Sequence, residues 1–390
     1  MHNTLSIKIA YRFLFNNNLG SFSSYASWLS IAGLSIGIAS LMLTASIIQG
    51  FYDTISEKLY SIEGQGRLTH IINGSIDLSD TYIDSLLNNT HANLSPYING
   101  VALLRSGSKL EGVIIEGVRT LSSKIPSSFS GSLKSGEIVI GRGISSLLKL
   151  KINDKIYIQG IPSGEKISNV PLLKSFIVKD IFHTGMQEYD NTLVYMSIND
   201  AMAILSFEEY EVTGLIHNNT KFPISKLDIK YPYYYQTWKE KHALLFDWIS
   251  LQRWPAYLMF GLISIVGLMN LIAALAMIII EKTNQIGILL AQGIPRSVLK
   301  KVFIIQGGFI GLLGGLIGGI ISIVLITIQL KYRVLDIPSD IYFMDQIPFS
   351  FNYTIFLSIL LLSIFLSIII SWIPINRIST FNPSKALRYE

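Results

Sequence analysis

Hydrophobic positions gather into four long runs, Tyr25–Ile48, Ala256–Ile280, Val302–Leu330 and Phe351–Ile373, none containing Asp, Glu, Lys, Arg or His. Crossing a bilayer takes roughly 20 apolar residues of helix, so each run predicts a transmembrane helix. Between the first and second runs the pattern changes to short alternating segments. "GVALLRSGSKLEGVIIEGV" predicts a hairpin turning at Gly107-Ser108. "GEIVIGRGISSLLKLKINDKIYIQG" predicts strand, helix, a turn at Asn153-Asp154, and strand; "SFIVKDIF" and "NTLVYM" predict further strands. "SINDAMAILSF" predicts a helix capped by Ser or Asn. From Gln236 the spacing of Trp238, Leu244, Leu245, Trp248 and Leu251 predicts a helical stalk entering the second span. The fold class is a membrane protein: four transmembrane helices with a large α+β extracytoplasmic domain between the first and second, part of it barrel-like.

Composition agrees. Half of the 390 residues are hydrophobic and only 15% are charged, against about a quarter in soluble domains. The first run is longer than the apolar part of a cleaved signal peptide and reads as a retained anchor. The net charge of +5 follows topology and does not mark a nucleic-acid partner. Lys8, Arg12, Lys282, Arg296, Lys300, Lys301, Arg377, Lys385 and Arg388 face only Glu281 and Glu390 on one side. The positive-inside rule puts those flanks in the cytoplasm. The expected layout is an amphipathic segment 1–24, span 25–48, external domain with stalk 49–255, span 256–280, cytoplasmic loop 281–301, span 302–330, external loop 331–350, span 351–373 and tail 374–390.

Catalytic chemistry is sparse. No P-loop, H-E-x-x-H or G-x-S-x-G motif occurs, and the six histidines lack zinc-site spacing. With no cysteine there is no thiol nucleophile. Neither an enzyme nor a metal site is expected. His183 reads as structural, and Glu188 and Asp190 as turn carboxylates. The spans also lack the intramembrane ionisable groups of an ion-coupled carrier, so energy must come from the cytoplasmic side. "EKTNQIGILLAQGIP", Glu281–Pro295, offers a route there. Ile286, Leu289 and Leu290 form a helical stripe, Gly293 and Pro295 end it, and Glu281 and Lys282 stay at its edge. Such a helix could dock into a soluble motor or rest on lipid. In the third span, Gly307, Gly311, Gly314, Gly315, Gly318 and Gly319 read as one close-packing face, within the chain or against a partner.

"EKTNQIGILLAQGIPRSVLKKVFIIQGGFIGLLGGLIGG" resembles the loop and third span of FtsX-like and MacB-like permeases of ABC systems. "YRFLFNNN", "SWLSIAGLSIGIASLMLTASIIQGF", "FIVKDIFHTGMQEYDNTLVYMSINDA", "DIYFMDQIPFSF" and "NPSKALRYE" narrow the resemblance to lipoprotein-releasing permeases of the LolC/LolE type. The matching stretches are spread over nearly the whole chain.

The resemblance implies a bacterial inner-membrane subunit with both termini cytoplasmic. It would pair with a second permease, or with itself, and with two copies of an ABC ATPase that uses ATP and Mg. Its cargo would be acylated lipoproteins taken from the membrane lipid and passed to a periplasmic carrier. ATPase coupling falls on Glu281, Lys282, Ile286, Gly287, Leu289, Leu290 and Gly293. A carrier-binding hook falls on Pro162, Ser163, Val170 and Pro171. An acyl cavity between the first and second spans falls on Leu41, Leu43, Ile47, Met259, Phe260, Ile263 and Met269. Asn153, Gln292 and Ile294 depart from the family's usual residues. A MacB-like exporter of peptides or small molecules and an FtsX-like regulator of a cell-wall hydrolase are the alternatives.

Overall fold

The computed structural model describes residues 9–10, 22–72, 74–88, 93–122, 125–161, 172–219, 228–335, 337, 344 and 346–375, with side chains of the first long helix from Tyr25 onward. In chain order the elements are α1 (Phe22–Glu63), β1 (Gly66–His70), β2 (Ile76–Asp77), α2 (Thr81–Leu87), β3 (Leu94–Ser106), β4 (Lys109–Val118), β5 (Glu137–Gly141) and α3 (Arg142–Leu148). There follow β6 (Lys155–Gly160), β7 (Leu173–Phe182), α4 (Gln187–Asp190), β8 (Leu193–Ser197), α5 (Ile198–Leu205), β9 (Glu211–Val212) and β10 (Gly214–His217). The chain continues with β11 (Tyr233–Thr237), α6 (Trp238–Lys241), α7 (Ala243–Glu281), α8 (Thr283–Ala291), α9 (Arg296–Tyr332) and α10 (Tyr353–Ile375). Two compact units result, one of Met1–Phe51, Trp248–Leu335 and Pro348–Glu390, the other of Tyr52–Asp247 and Asp336–Ile347.

The first unit is a bundle of the four helices that are long and apolar enough to cross a membrane. Its core holds Leu34, Ile38, Leu271, Leu275, Phe303 and Ile310. Because lipid is as apolar as leucine, the helices gain little from hydrophobicity and must associate by close approach. The glycines of α9 serve two neighbours, not one face. Cβ atoms at Gly307, Gly311 and Gly315 would run into Ser371, Ser367 and Leu360 of α10; one at Gly318 would come within 2.6 Å of the Ser35 carbonyl oxygen of α1. Ser322 Oγ donates to the Ala39 carbonyl across that second contact, at 3.0 Å. Both contacts lie inside one chain, so the glycines pack this bundle. On the other side of α1, a Cβ at Gly267 of α7 would lie 2.9 Å from the Leu34 backbone. Ser30 Oγ reaches the Asn270 carbonyl at 2.8 Å.

In the second unit the expected hairpin forms, with Ser106 opposite Lys109. The long β3 then does something no local pattern shows. It pairs with β4 along most of its length, with β10 near its start and with β6 near its end. Together with the β4–β8, β8–β5, β5–β7 and β7–β6 pairings, this closes a six-stranded barrel, and β10, β1 and β11 extend from it. Alternation along the strands sends Ile98, Ala102, Leu104, Ile115, Ile158, Phe176 and Val178 into the core. The alternation of β5 carries Ile140 to that cluster and Val139 to a second one with Phe182 and Tyr195. Helix α1 continues to Glu63, well beyond the Ile48 limit of the apolar run, because "DTISEKLYSIE" keeps Ile55, Leu59 and Ile62 buried at helical spacing.

Gly318→Leu should force α1 from α9 at a cost of about 1–3 kcal/mol. Gly319→Ala, whose Cβ would meet only Met42 at 3.7 Å, should be neutral. Thermal melting of the detergent-solubilised variants checks the contrast.

Candidate functional site

The Glu281–Pro295 stretch folds into α8, bounded by Lys282 and Gln292. Gly293, at φ +87°, turns the chain and donates to the Leu290 carbonyl at 3.1 Å. Its stripe points the other way from expectation. Ile286 is 1% exposed and belongs to one buried cluster with Ile278, Ile279, Leu299, Phe303 and Ile375; Gly287 is buried, and Leu289 and Leu290 are partly buried against that cluster. A helix with one apolar side covers it with whatever is nearest, and here that is the chain's own bundle. Ile286 is therefore not free to enter another protein. The outward surface is Asn284, Gln285, Ile288, Ala291 and Gln292, with Glu281 exposed and 3.3 Å from Lys282.

The hook residues Pro162, Ser163, Val170 and Pro171 lie outside the described residues. The paired strands β6 and β7 flank them. Of the cavity residues, Met259 and Met269 are 62% and 61% exposed, Ile263 is also exposed, and Phe260, Leu41, Leu43 and Ile47 are half-buried. Close contacts of Gly33 and Gly37 with Gly267 and Ser264 bring α1 and α7 together further along the pair. Within one chain Met259, Ile263 and Met269 face outward, whereas Leu43 packs against the bundle core.

Sequence reasoning missed a buried charge network in the external domain. Arg67 of β1 forms a two-pronged pair with Glu116 of β4, Nη1–Oε2 3.0 Å and Nη2–Oε1 3.1 Å. Its Nε lies 2.7 Å from Glu63 Oε2, and its guanidinium stacks 4.6 Å from the Tyr97 ring centre. Glu63, the last residue of α1, also pairs with Lys241 of α6 and accepts from the Tyr189 hydroxyl of α4 at 2.9 Å. His242 Nε2 lies 3.2 Å from that hydroxyl, placed to donate to the phenol oxygen. Two carboxylates thus meet two cations. Burial and the neighbouring carboxylates push the Tyr189 and Tyr195 phenols well up, which keeps both neutral. Arg67 and Glu116 are 49 residues apart, which no motif signals.

Next to Tyr189, the Asp190 carboxylate is buried, not solvated. It accepts from the Thr184 and Gly185 amides at 2.8 and 3.0 Å and contacts His183 Nδ1 at 2.8 Å. Glu188 is exposed and takes no part in this cap. The "MQEYD" stretch is thus structural twice over. Two cavities of about 230 and 300 Å³, each lined by polar and apolar groups, flank the Arg67–Glu116 pair. Both sit at or below the lower end of ligand pockets, about 300–1,000 Å³. Among the described residues no His, Asp and Glu cluster could hold a metal ion.

Residues 257–383 match the FtsX-like permease C-terminal family and residues 27–220 the MacB-like periplasmic core domain. The chain is 26% identical to the lipoprotein-releasing system transmembrane protein LolC of Xylella fastidiosa over 100% of both chains. It is 27% identical to LolC of Neisseria meningitidis, over 99% of this chain and 100% of that one. It is 24% identical to the transmembrane protein LolE of Haemophilus influenzae, over 92% and 93%.

Burial holds His217 and His242 below the ordinary 6.5. The unfolded chain therefore binds more protons as pH falls through that value, and folding stability drops. Melting temperature should decline from about pH 7.5 to about 5.5, and the double variant His217→Gln/His242→Gln should flatten that slope. Arg67→Met, which strands the buried Glu116 carboxylate and leaves Glu63 with Lys241 alone, should cost about 3–5 kcal/mol in denaturant unfolding.

Proposed function

The chain belongs to the FtsX-like, MacB-like family of permeases, and on that premise we propose that it is the membrane subunit of an ABC transporter that releases lipoproteins. A separate ATPase, in two copies, would hydrolyse ATP and Mg would act there. A second permease, either another member of the family or a copy of this chain, would complete the membrane part. The external domain would face the periplasm and pass the cargo to a soluble carrier, with the segment between β6 and β7 as its hook.

End-to-end similarity to lipoprotein-releasing proteins is the observation that carries this reading. The physical character of the spans supports it. Burying an acyl chain contributes about 0.8 kcal/mol per CH2, so an acylated anchor needs an external energy source to leave the bilayer. Spans without ionisable groups lack the titratable sites of a proton-coupled carrier, but they make apolar walls. Met259, Ile263 and Met269, on the outward face of α7, would line a cavity against the second permease subunit, together with Leu41, Leu43, Ile47 and Phe260. Coupling to the ATPase would run through the exposed side of α8, around Ile288, while Ile286, Leu289 and Leu290 anchor that helix to the spans.

Reconstitution tests this. Vesicles holding the permease, its ATPase and an acylated lipoprotein should release the lipoprotein to a soluble carrier only with ATP. ATP-dependent turnover without release would overturn the reading. Ile288→Asp should leave the permease folded but cut ATP-dependent release by about tenfold, the effect of about 1.4 kcal/mol lost at a docking contact. Ile286→Asp should instead abolish folded protein, because an unpaired charge would be buried in the bundle.

A further inference from the structure

The helices α1 and α7 carry the chain out of and back into the apolar spans, and the outer end of α1 meets α6, the short helix that leads into α7, at one carboxylate. Glu63 closes α1. Its Oε1 takes Lys241 from the last turn of α6, directly before α7, and the Tyr189 hydroxyl from α4. Its Oε2 takes the Arg67 guanidinium, itself locked to Glu116 on the barrel strand β4. The side chain of Glu63 is 3% exposed, whereas that of Lys241 is 44% exposed. Packing reinforces the junction on the same side: Phe246 of α7 meets Tyr52 of α1 and Trp238 of α6 edge-on, with ring centres 5.4 Å apart in each case. A single ionised group thereby restrains three helices and a strand.

We propose that Glu63 is a positioning residue for transport, holding the outer ends of α1 and of α6–α7 at a fixed separation against the sheet. Displacement produced by ATP hydrolysis then reaches the external domain instead of being absorbed as splaying of the two helices. The proposal rests on the ABC-permease reading above.

The chain has no cysteine, so Glu57→Cys and Ala243→Cys, both at exposed positions of the two helices, allow paired spin labels in the full permease–ATPase complex. The distance between them should be single and unchanged by ATP and vanadate in the parent. With Glu63→Gln, which leaves Arg67 paired to Glu116, it should broaden, and lipoprotein released per ATP hydrolysed should fall about tenfold. Lys174→Met breaks a different ion pair of the same domain, to Asp200. It should lower thermal stability while sparing both the distance and the coupling ratio. An unbroadened distance or an unchanged coupling ratio in Glu63→Gln would overturn the proposal, as would equal loss of coupling in Lys174→Met. The label measurement needs no cargo. A parent complex that hydrolyses ATP and keeps the fixed distance, yet releases no lipoprotein, would refute the transport reading and leave the clamp intact.

Discussion

The constraint on which everything else rests is that the four apolar runs of the membrane helices contain no charge with which to recognise one another. Hydrocarbon surrounds them as comfortably as leucine does, so attraction must come from surfaces that fit closely enough for backbones to touch. Glycine and serine provide that fit. Gly307, Gly311 and Gly315 of α9 meet the serine-bearing side of α10, while Gly318 and Ser322 meet α1. The side chains left facing outward, such as Leu258, Leu262 and Met269 of α7, are then free to meet lipid, cargo or a second subunit.

Charge is displaced to where the helices end. In the external domain it is concentrated and buried: Arg67 lies between Glu63 and Glu116, with Lys241 completing the balance. Burying Glu63, Arg67 and Glu116 is tolerable because each has an oppositely charged partner, with Lys241 reaching Glu63 from a part-exposed position. The "MQEYD" stretch shows how closely tertiary structure can use a short motif. Tyr189 contacts Glu63, and the adjacent Asp190 caps a turn with no part in the network.

Much of this was legible along the chain. Runs without ionisable residues announce the spans, and Gly107-Ser108 between alternating segments announces the β3–β4 hairpin. What local pattern cannot convey is which surface covers which. The Ile286 stripe identified the apolar side of α8 but not that the bundle itself conceals it. Six glycines in α9 looked like one face because their spacing hides that two neighbours share them. The extension of α1 to Glu63 was lost because its outer part is amphipathic; a barrel-like part was expected, but not the way β3 closes it by pairing with β10, β4 and β6 at once. The Arg67–Glu116 pair spans 49 positions, beyond any window of periodicity.

Closure of the barrel also limits the ways another protein can grip it. A sheet that ends in a free strand can be read by a partner laying its own backbone alongside. Here β6 and β7 hydrogen-bond on both sides, β6 to β3 and β7 to β5, so main-chain pairing is already spent. Whatever docks beside these strands must do so through side-chain shape and chemistry. Specificity at that end of the molecule can therefore drift by point substitution, without disturbing the architecture beneath.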